Sequence, residues 1–142
     1  MRKLEPDEFK PKHRLQTYEL AKKWWARISS IPIIYEDVER FWNMGLGTAW
    51  VDDKDNIIGY YILMKHPHPF NSGCLVATIL SIVIDENYRG SPLFFKMWRD
   101  IKEECEIWDV KEISFGDTVE CPTPFIKKLG FKITGTTYRR EQ

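Results

Sequence analysis

Apolar residues recur at helical spacing in the first third of the chain. Over residues 13–28 they fall every three or four positions, which predicts an amphipathic helix that ends at the Ser-Ser-Ile-Pro segment 29–32. A second helix is predicted over residues 35–44, with Gly45 at its C-terminal cap. The two apolar stripes consist of Leu15, Tyr18, Leu20, Trp24, Trp25 and Ile28 in the first helix, and of Ile34, Val38, Phe41 and Trp42 in the second.

The pattern then changes to that of strands. Residues 48–51 and 57–64 are predicted as two strands joined by a polar turn at 52–56. Two prolines interrupt residues 66–73, which are predicted as a loop. Residues 75–84 form an almost continuous apolar run, typical of a central strand that is buried on both faces.

Helix and strand signals alternate through the rest of the chain. A helix is predicted over residues 91–107, a strand over 111–115, a short helix over 123–129 and a final strand or hairpin over 131–139. The charged, proline-containing segment 1–12 is either an edge strand or a loose arm. The chain of 142 residues is therefore predicted to be one α/β domain, 1–142, with the element order ααβββαβαβ.

Composition narrows the classes of function. Lys+Arg and Asp+Glu both number 21, and this zero net charge argues against non-specific nucleic-acid binding. No apolar run is long enough to span a membrane, and the N-terminus does not resemble a signal peptide. The three cysteines, Cys74, Cys105 and Cys121, form neither a disulfide framework nor a paired motif, so a reducing cytoplasm is expected.

The element order, together with an Arg89-Gly90 turn between strand and helix and the late Leu129-Gly130-Phe131…Tyr138 pattern, resembles the GNAT N-acetyltransferases. The His-Pro-His-Pro segment 66–69 is similar to one in short bacteriophage GNAT-like proteins. The resemblance implies a GNAT-like α/β (α+β) fold, with a mixed central sheet and helices on both faces. It also implies that acetyl-CoA is the cofactor and that a small-molecule or protein amine accepts the acyl group, in a bacterium or a phage-infected host.

The resemblance assigns cofactor roles to particular residues. The backbone of Ile82, Val83 and Ile84 would hold the pantetheine arm. The start of the next helix would face the pyrophosphate, because a helix N-terminus presents unpaired N–H groups and partial positive charge. The residues at that turn are Arg89, Gly90, Ser91 and Leu93.

This chain departs from the family pattern Arg/Gln-x-x-Gly-x-Gly/Ala at that turn. Pro92 and Phe94 occupy the two positions of small residues, so one backbone donor is lost and a ring is added where a phosphate should approach. Ser91 followed by Pro92 is also a good helix start by itself. The turn is therefore either a phosphate site or only a helix N-terminus.

Catalytic groups are not fixed by the pattern. The strand before the turn offers only Thr78 and Ser81 as polar residues, and Ile79 and Leu80 stand where similar phage proteins often have acids. Ile126 stands where the family usually has the tyrosine that protonates the thiolate. A base must take a proton from the amine. The candidates are Asp117, Glu120, His66 and His68, each of which could instead be a solvated carboxylate or a turn histidine.

Several alternatives remain open from the sequence. The chain could be an N-acetyltransferase or a catalytically inactive GNAT-fold binding module, such as a phage-encoded effector that acts by protein contact. His66, His68 and Cys74 lack the paired spacing of a zinc site, so no metal is expected. The tryptophans of the first two helices either belong to the core or line the acceptor groove. An exposed tryptophan or a free edge strand would support a homodimer.

Overall fold

The computed structural model describes residues 1–115, 123–132, 134, 135, 140 and 142. One sheet contains five strands in the order β1-β2-β3-β4-β5, in which β5 is parallel to β4 and the other neighbours are antiparallel. The strands are β1 Arg2–Lys3, β2 Gly47–Val51, β3 Ile57–His68, β4 Asn71–Ile84 and β5 Glu112–Phe115. The helices are α1 Pro11–Trp25, α2 Tyr35–Asn43, α3 Leu93–Ile107 and α4 Thr123–Lys128, with 3-10 turns at Pro6–Glu8 and Glu86–Tyr88.

Helices cover both faces of the sheet. On one face α3 buries Leu93, Met97 and Ile101 against Ile58 and Ile79, and all five side chains are almost completely inaccessible. On the other face α1 and α2 pack against a second apolar cluster of the same strands. Side chains of a strand alternate between faces, so β3 and β4 supply both clusters. The mixed sheet with helices on both faces is therefore confirmed.

The predicted helices are confirmed with shifted ends. The first helix begins two residues earlier than predicted and ends at Trp25, whereas α3 begins two residues later, at Leu93. The C-cap of α2 is confirmed: Gly45 has φ +71°, its N–H donates to the Trp42 carbonyl, and the Leu46 N–H donates to the Phe41 carbonyl. This pair of bonds closes the helix and turns the chain into β2.

The loop prediction for residues 66–73 is wrong. The chain continues as β3 to His68, reverses at Pro69 and Phe70, and returns as β4 from Asn71, so the segment is a β-hairpin. Pro67 is accommodated next to a register shift between Pro67 and His68, where the ladder of backbone hydrogen bonds is interrupted. Proline was therefore a poor signal of a loop at this position.

The prediction for the N-terminal segment is decided by the structure, whereas most of the one for the C-terminal segment is not. The N-terminal segment supplies β1, which pairs with β2 as an edge strand, and this settles the choice between strand and loose arm. Of the predicted final strand, residues 131, 132, 134 and 135 have no regular secondary structure, and the remainder lies outside the described residues. Within the described part of the chain, no helix has the length and apolar character needed to cross a membrane.

Candidate functional site

A bulge interrupts the pairing of β3 with β4. Ile62 pairs with Ser81 and Leu63 pairs with Ile79, so Leu80 is an extra residue in β4. The described residues of β5 pair with β4 only from Val76 to Ile79. Bulges bend a strand and re-aim its side chains. Among the described residues, the ladder between β4 and β5 therefore ends at Ile79, immediately before the bulge.

Beyond the bulge, the backbone N–H and C=O groups of consecutive β4 residues point alternately toward β3 and away from it. The Asp85 N–H donates to the Ile58 carbonyl at 2.8 Å, and Val83 is paired with Tyr60 in the same ladder. Polar backbone groups of consecutive residues in an antiparallel strand point in opposite directions. The backbone groups of Ile82 and Ile84 thus point away from β3, to a side on which no described strand pairs with them, and we call these two residues the open edge of β4. The backbone groups of Val83 are directed to β3.

A tight turn connects the open edge to α3. Asp85 Oδ1 accepts a hydrogen bond from the Asn87 N–H at 2.9 Å, and the Ser91 N–H donates to the Tyr88 carbonyl at 3.2 Å. Gly90 has φ +80°, and a Cβ atom built there would meet nothing within 4 Å among the described atoms. A left-handed conformation favours glycine, and the space beside it lets another group approach the backbone.

The start of α3 is capped from within. The Ser91 hydroxyl accepts a hydrogen bond from the Leu93 N–H at 3.3 Å, and Pro92 already has helical angles of φ −66° and ψ −2°. The Leu93 side chain is fully buried in the core. Ser91 and Pro92 therefore act as the predicted helix start, and the Leu93 amide has a partner inside the protein.

Phe94 adds a ring to the first turn of α3. The ring is partly buried and packs against the core cluster on the α3 face. One turn further on, Trp98 lies 5.2 Å from Phe131 between ring centroids, and Phe131 lies 4.7 Å from Phe115. An aromatic layer therefore connects α3, the end of β5 and the residues after α4.

Cationic side chains surround the turn. Lys23 Nζ of α1 lies 2.8 Å from Glu86 Oε1, and this hydrogen bond, with smaller contributions from the charges of Arg27 and Arg89, lowers the pKa of Glu86. Three cations thus face two carboxylates, Glu86 and its neighbour Asp85. Lys23 and Arg27 were not predicted, because only the apolar stripe of α1 was used. The basic residues between the stripe positions Leu20 and Ile28 were the available signal.

An apolar cavity of about 370 Å³ lies between α1, α2 and the bulge in β4. Tyr60 and Ser81 supply its hydroxyl groups; they share a hydrogen bond, and burial raises the pKa of the Tyr60 hydroxyl. Trp24 and Trp25 lie in the wall, so these two tryptophans belong both to the packing of α1 and to the cavity. The described lining residues are Ala21, Trp24, Trp25, Ile33, Val38, Phe41, Tyr60, Ile62, Leu80 and Ser81.

Trp42, the third tryptophan in α1 and α2, packs against the hydrophobic core. Trp42 stacks on Phe9 with 4.7 Å between ring centroids and meets Tyr60 edge to face. A Cβ atom at Gly47 would lie 2.2 Å from the Trp42 ring. The glycine at the start of β2 therefore makes room for this indole, which fixes α2 against the sheet.

The two candidate histidines have different surroundings. His66 Nε2 lies 3.0 Å from Thr78 Oγ1, which lies 3.4 Å from Ser114 Oγ, and this polar chain crosses three strands. His68 Nδ1 accepts the Phe70 N–H at 3.1 Å and closes the hairpin turn. His66 is four residues beyond Ile62 of the cavity wall, roughly 13 Å along the strand.

The other predicted catalytic positions contribute less. Asp117 and Glu120 lie outside the described residues, as do Cys121 and Tyr138. Ile126 lies in α4 and is partly buried, and its side chain has no proton to donate. Within the described residues, no three His, Cys, Asp or Glu side chains are grouped so that they could hold a metal ion.

The fold is shared with solved acetyltransferases. An acetyltransferase of Trypanosoma brucei is 21% identical, with a TM-score of 0.71 over 99% of this chain and 97% of that chain. A ribosomal-protein-alanine N-acetyltransferase of Brucella melitensis is 11% identical, with a TM-score of 0.68 over 99% and 98%. A chain of the NatC complex bound to Gag peptide and CoA is 20% identical, with a TM-score of 0.61 over 75% of this chain and 67% of that chain.

These similarities establish the fold class. The chain has a GNAT-like acetyltransferase fold, as predicted. No protein-family model matches the sequence, and no curated protein matches it. At these identities the activity has to be argued from the residues of the site.

Proposed function

We propose that the chain is a member of the GNAT superfamily and an acetyl-CoA-dependent N-acyltransferase that transfers the acyl group to an amine. The observation that carries this proposal is the open edge of β4, which is followed directly by the Gly90 turn and the start of α3. A strand with outward-pointing amide and carbonyl groups can bind an extended amide-containing chain as another strand would. A glycine turn before a helix N-terminus suits a phosphate.

The cofactor roles follow from the directions of the groups. Ile82 and Ile84 would hold the pantetheine arm through their backbone, whereas Val83 uses its backbone groups toward β3. The Gly90 amide, the Ser91 hydroxyl and the Arg89 guanidinium would meet the pyrophosphate. Lys23 adds a second cation from α1. Because the Leu93 amide is occupied by Ser91, this site relies more on charge and less on helix amides than the family pattern implies.

Acyl transfer requires a neutral amine and a group that takes the released proton. Acetyl-CoA, when bound, supplies the activated acyl thioester. His66 is the best placed of the described base candidates, because Thr78 and Ser114 form a hydrogen-bonded chain with it on the face of the sheet that also carries the cavity. Its separation from the cavity means that the proton would reach it through Thr78 or water. Asp117 and Glu120 stay candidates for the same role.

A catalytically inactive binding module is the alternative, including a phage-encoded effector that acts by protein contact. The internal cap between Ser91 and Leu93 favours it, because one helix donor that a ligand would otherwise meet is satisfied within the protein. The Phe94 ring and the absence of a proton donor at Ile126 point in the same direction. The acceptor, cytoplasmic residence and a homodimer stay predictions from the sequence.

An assay of acetyl transfer distinguishes the acyltransferase from the inactive binding module. The purified chain is incubated with acetyl-CoA and a mixture of primary amines, and free thiol release and acylated products are followed by absorbance and mass spectrometry. Amine-dependent thiol release with a product heavier by one acetyl group supports the enzyme. Tight binding of acetyl-CoA without any product, across amines of different size and charge, would instead support the binding module.

A further inference from the structure

We propose that the acceptor is a primary amine with a bulky apolar substituent, and that this substituent occupies the apolar cavity. The inference rests on the proposed acyltransferase function and adds the class of acceptor to it. The same chemistry occurs in a free arylalkylamine and in a peptide whose first residue has a large apolar side chain. The experiment below separates these two sources.

The composition of the cavity wall selects an apolar occupant. Within the described residues no charged side chain lines the cavity, and four of its wall residues are aromatic. A volume of about 370 Å³ lies at the lower end of the range for small-molecule sites, which are mostly apolar with a few polar groups. A benzyl or indolylmethyl group can bury its surface there, whereas a second ammonium group would find no carboxylate.

The position of the cavity places the amine next to the reacting group. Leu80 and Ser81 line the cavity, and the next residue is Ile82 of the open edge. Consecutive Cα atoms are about 3.8 Å apart. A substituent held in the cavity would therefore lie beside the strand segment along which the proposed cofactor binds.

An apolar cavity also helps to supply the neutral amine. Burial in a low-dielectric site disfavours the charged form and lowers the pKa of an ammonium group. The reactive amine is then populated at neutral pH without a carboxylate on β4, where the sequence has none. The hydrogen-bonded hydroxyls of Tyr60 and Ser81 can accept a hydrogen bond from that amine.

The test compares amines that differ in their substituents. Values of kcat/KM are measured for phenethylamine, ethylamine and spermidine, and for three otherwise identical peptides beginning with Phe, Gly or Asp. One methylene in an apolar site changes kcat/KM by about 10–200-fold. We expect phenethylamine, the Phe peptide or both to exceed their small and charged counterparts by at least about 100-fold, and the better of the two identifies the source. No preference, or a preference for spermidine or the Asp peptide, would overturn the inference.

Two variants fill the cavity from different helices. Ala21→Phe on α1 and Val38→Phe on α2 both enlarge a lining residue, and the exposed neighbour Lys22→Ala, which is outside the lining, is the matched control. We expect either filled variant to lose the apolar preference while the Kd for acetyl-CoA stays within about two-fold and circular dichroism is unchanged. The control should keep the preference. A filled, folded variant that keeps it would contradict the assignment.

Failure of the inference and failure of the proposed function give different results. If acetyl-CoA binds and charged or small amines are preferred, the enzyme stands and the apolar acceptor is wrong. If acetyl-CoA does not bind, the enzyme is wrong, and the cavity is tested alone by titrating phenethylamine into the cofactor-free protein. Binding that is lost in Ala21→Phe would then support an apolar amine ligand, and no binding would overturn it.

Discussion

The hydroxyl of Ser91 accepts the amide hydrogen of Leu93 with an N···O distance of 3.3 Å. This one contact lies at the point where the two interpretations of the chain diverge. It satisfies one helix donor that could otherwise face an anion, so that the proposed phosphate site has one helix amide fewer. The proposed cofactor site would therefore depend more on charge and on the open edge of β4.

Ser91→Asp separates helix capping from anion binding. Aspartate is as good an N-cap as serine, so we expect the free energy of unfolding to stay within about 0.5 kcal/mol, whereas Ser91→Ala should cost about 1 kcal/mol. The added negative charge should repel a diphosphate and weaken acetyl-CoA binding at least about 10-fold. Urea unfolding and calorimetric titration measure the two effects. Unchanged cofactor affinity in Ser91→Asp would show that no phosphate lies at this turn.

Lys23 and Glu86 should have opposite effects on cofactor affinity. Lys23→Gln removes a cation from the turn, and Glu86→Gln removes the carboxylate that now pairs with that cation at 2.8 Å. We expect the first variant to weaken acetyl-CoA binding several-fold and the second to strengthen it, with both differences shrinking at high salt. Calorimetric titrations of acetyl-CoA into both variants at 50 mM and 500 mM salt measure these affinities. Effects of the same sign in both variants would contradict the electrostatic account.

His66→Ala should slow turnover more than His68→Ala. His66 belongs to the hydrogen-bonded chain with Thr78 and Ser114, whereas His68 holds the hairpin turn through the Phe70 amide. Because the proton would reach His66 indirectly, we expect kcat to fall about 10–100-fold, below the upper range for a direct base. His68→Ala is the matched control and should retain kcat within about three-fold. If the two substitutions reduced kcat equally, His66 would not be the general base.

The Asp55 carboxylate makes the stability of the fold depend on pH in the acid range. Hydrogen bonds from Lys12, with Lys10 and His13 adding to them, hold its pKa well below the ordinary value, and these contacts attach the β2–β3 turn to α1. Since the folded pKa is depressed, the stabilisation is complete above the unfolded pKa near 3.9 and is lost as the pH falls below it. The Tm should therefore drop between about pH 4 and pH 2.

Asp55→Asn is the matched test of this pH dependence. Asparagine tolerates the left-handed conformation of this residue, which has φ +63°, but it cannot titrate. We expect a lower Tm at pH 7 and a shallower decrease between pH 4 and pH 2 than in the unchanged chain. Parallel Tm curves for the two proteins across this range would show that Asp55 is not the group responsible.

Much of the fold could be predicted from hydrophobic spacing. The stripes of α1, α2 and α3 are long and regular, and Gly45 was a reliable end for α2 because the left-handed cap favours glycine. The hairpin at residues 66–73 was missed because proline usually ends a strand, and a register shift that accommodates Pro67 leaves no mark in the sequence. The bulge at Leu80 could not be predicted either, because it depends on the register in which β3 and β4 pair.

The candidate site was only partly predictable. The position of the turn at Arg89 and Gly90 could be predicted from the change of strand to helix. The contribution of Lys23 could not be predicted, because it comes from a helix more than 60 residues away in the chain that packs on the other face of the sheet. The separate roles of His66 and His68 likewise depend on contacts across strands that spacing alone does not give.

The most direct test of the account is calorimetric titration of acetyl-CoA into the protein and into Ile84→Pro. The Ile84 N–H lies on the open edge and not in the ladder with β3, so proline removes one outward donor, and Ile84→Val keeps it as the control. The account predicts binding to the unchanged chain and to Ile84→Val, and at least about 10-fold weaker binding to a folded Ile84→Pro. No heat of binding to the unchanged chain at millimolar acetyl-CoA, or equal affinity in all three proteins, would contradict it.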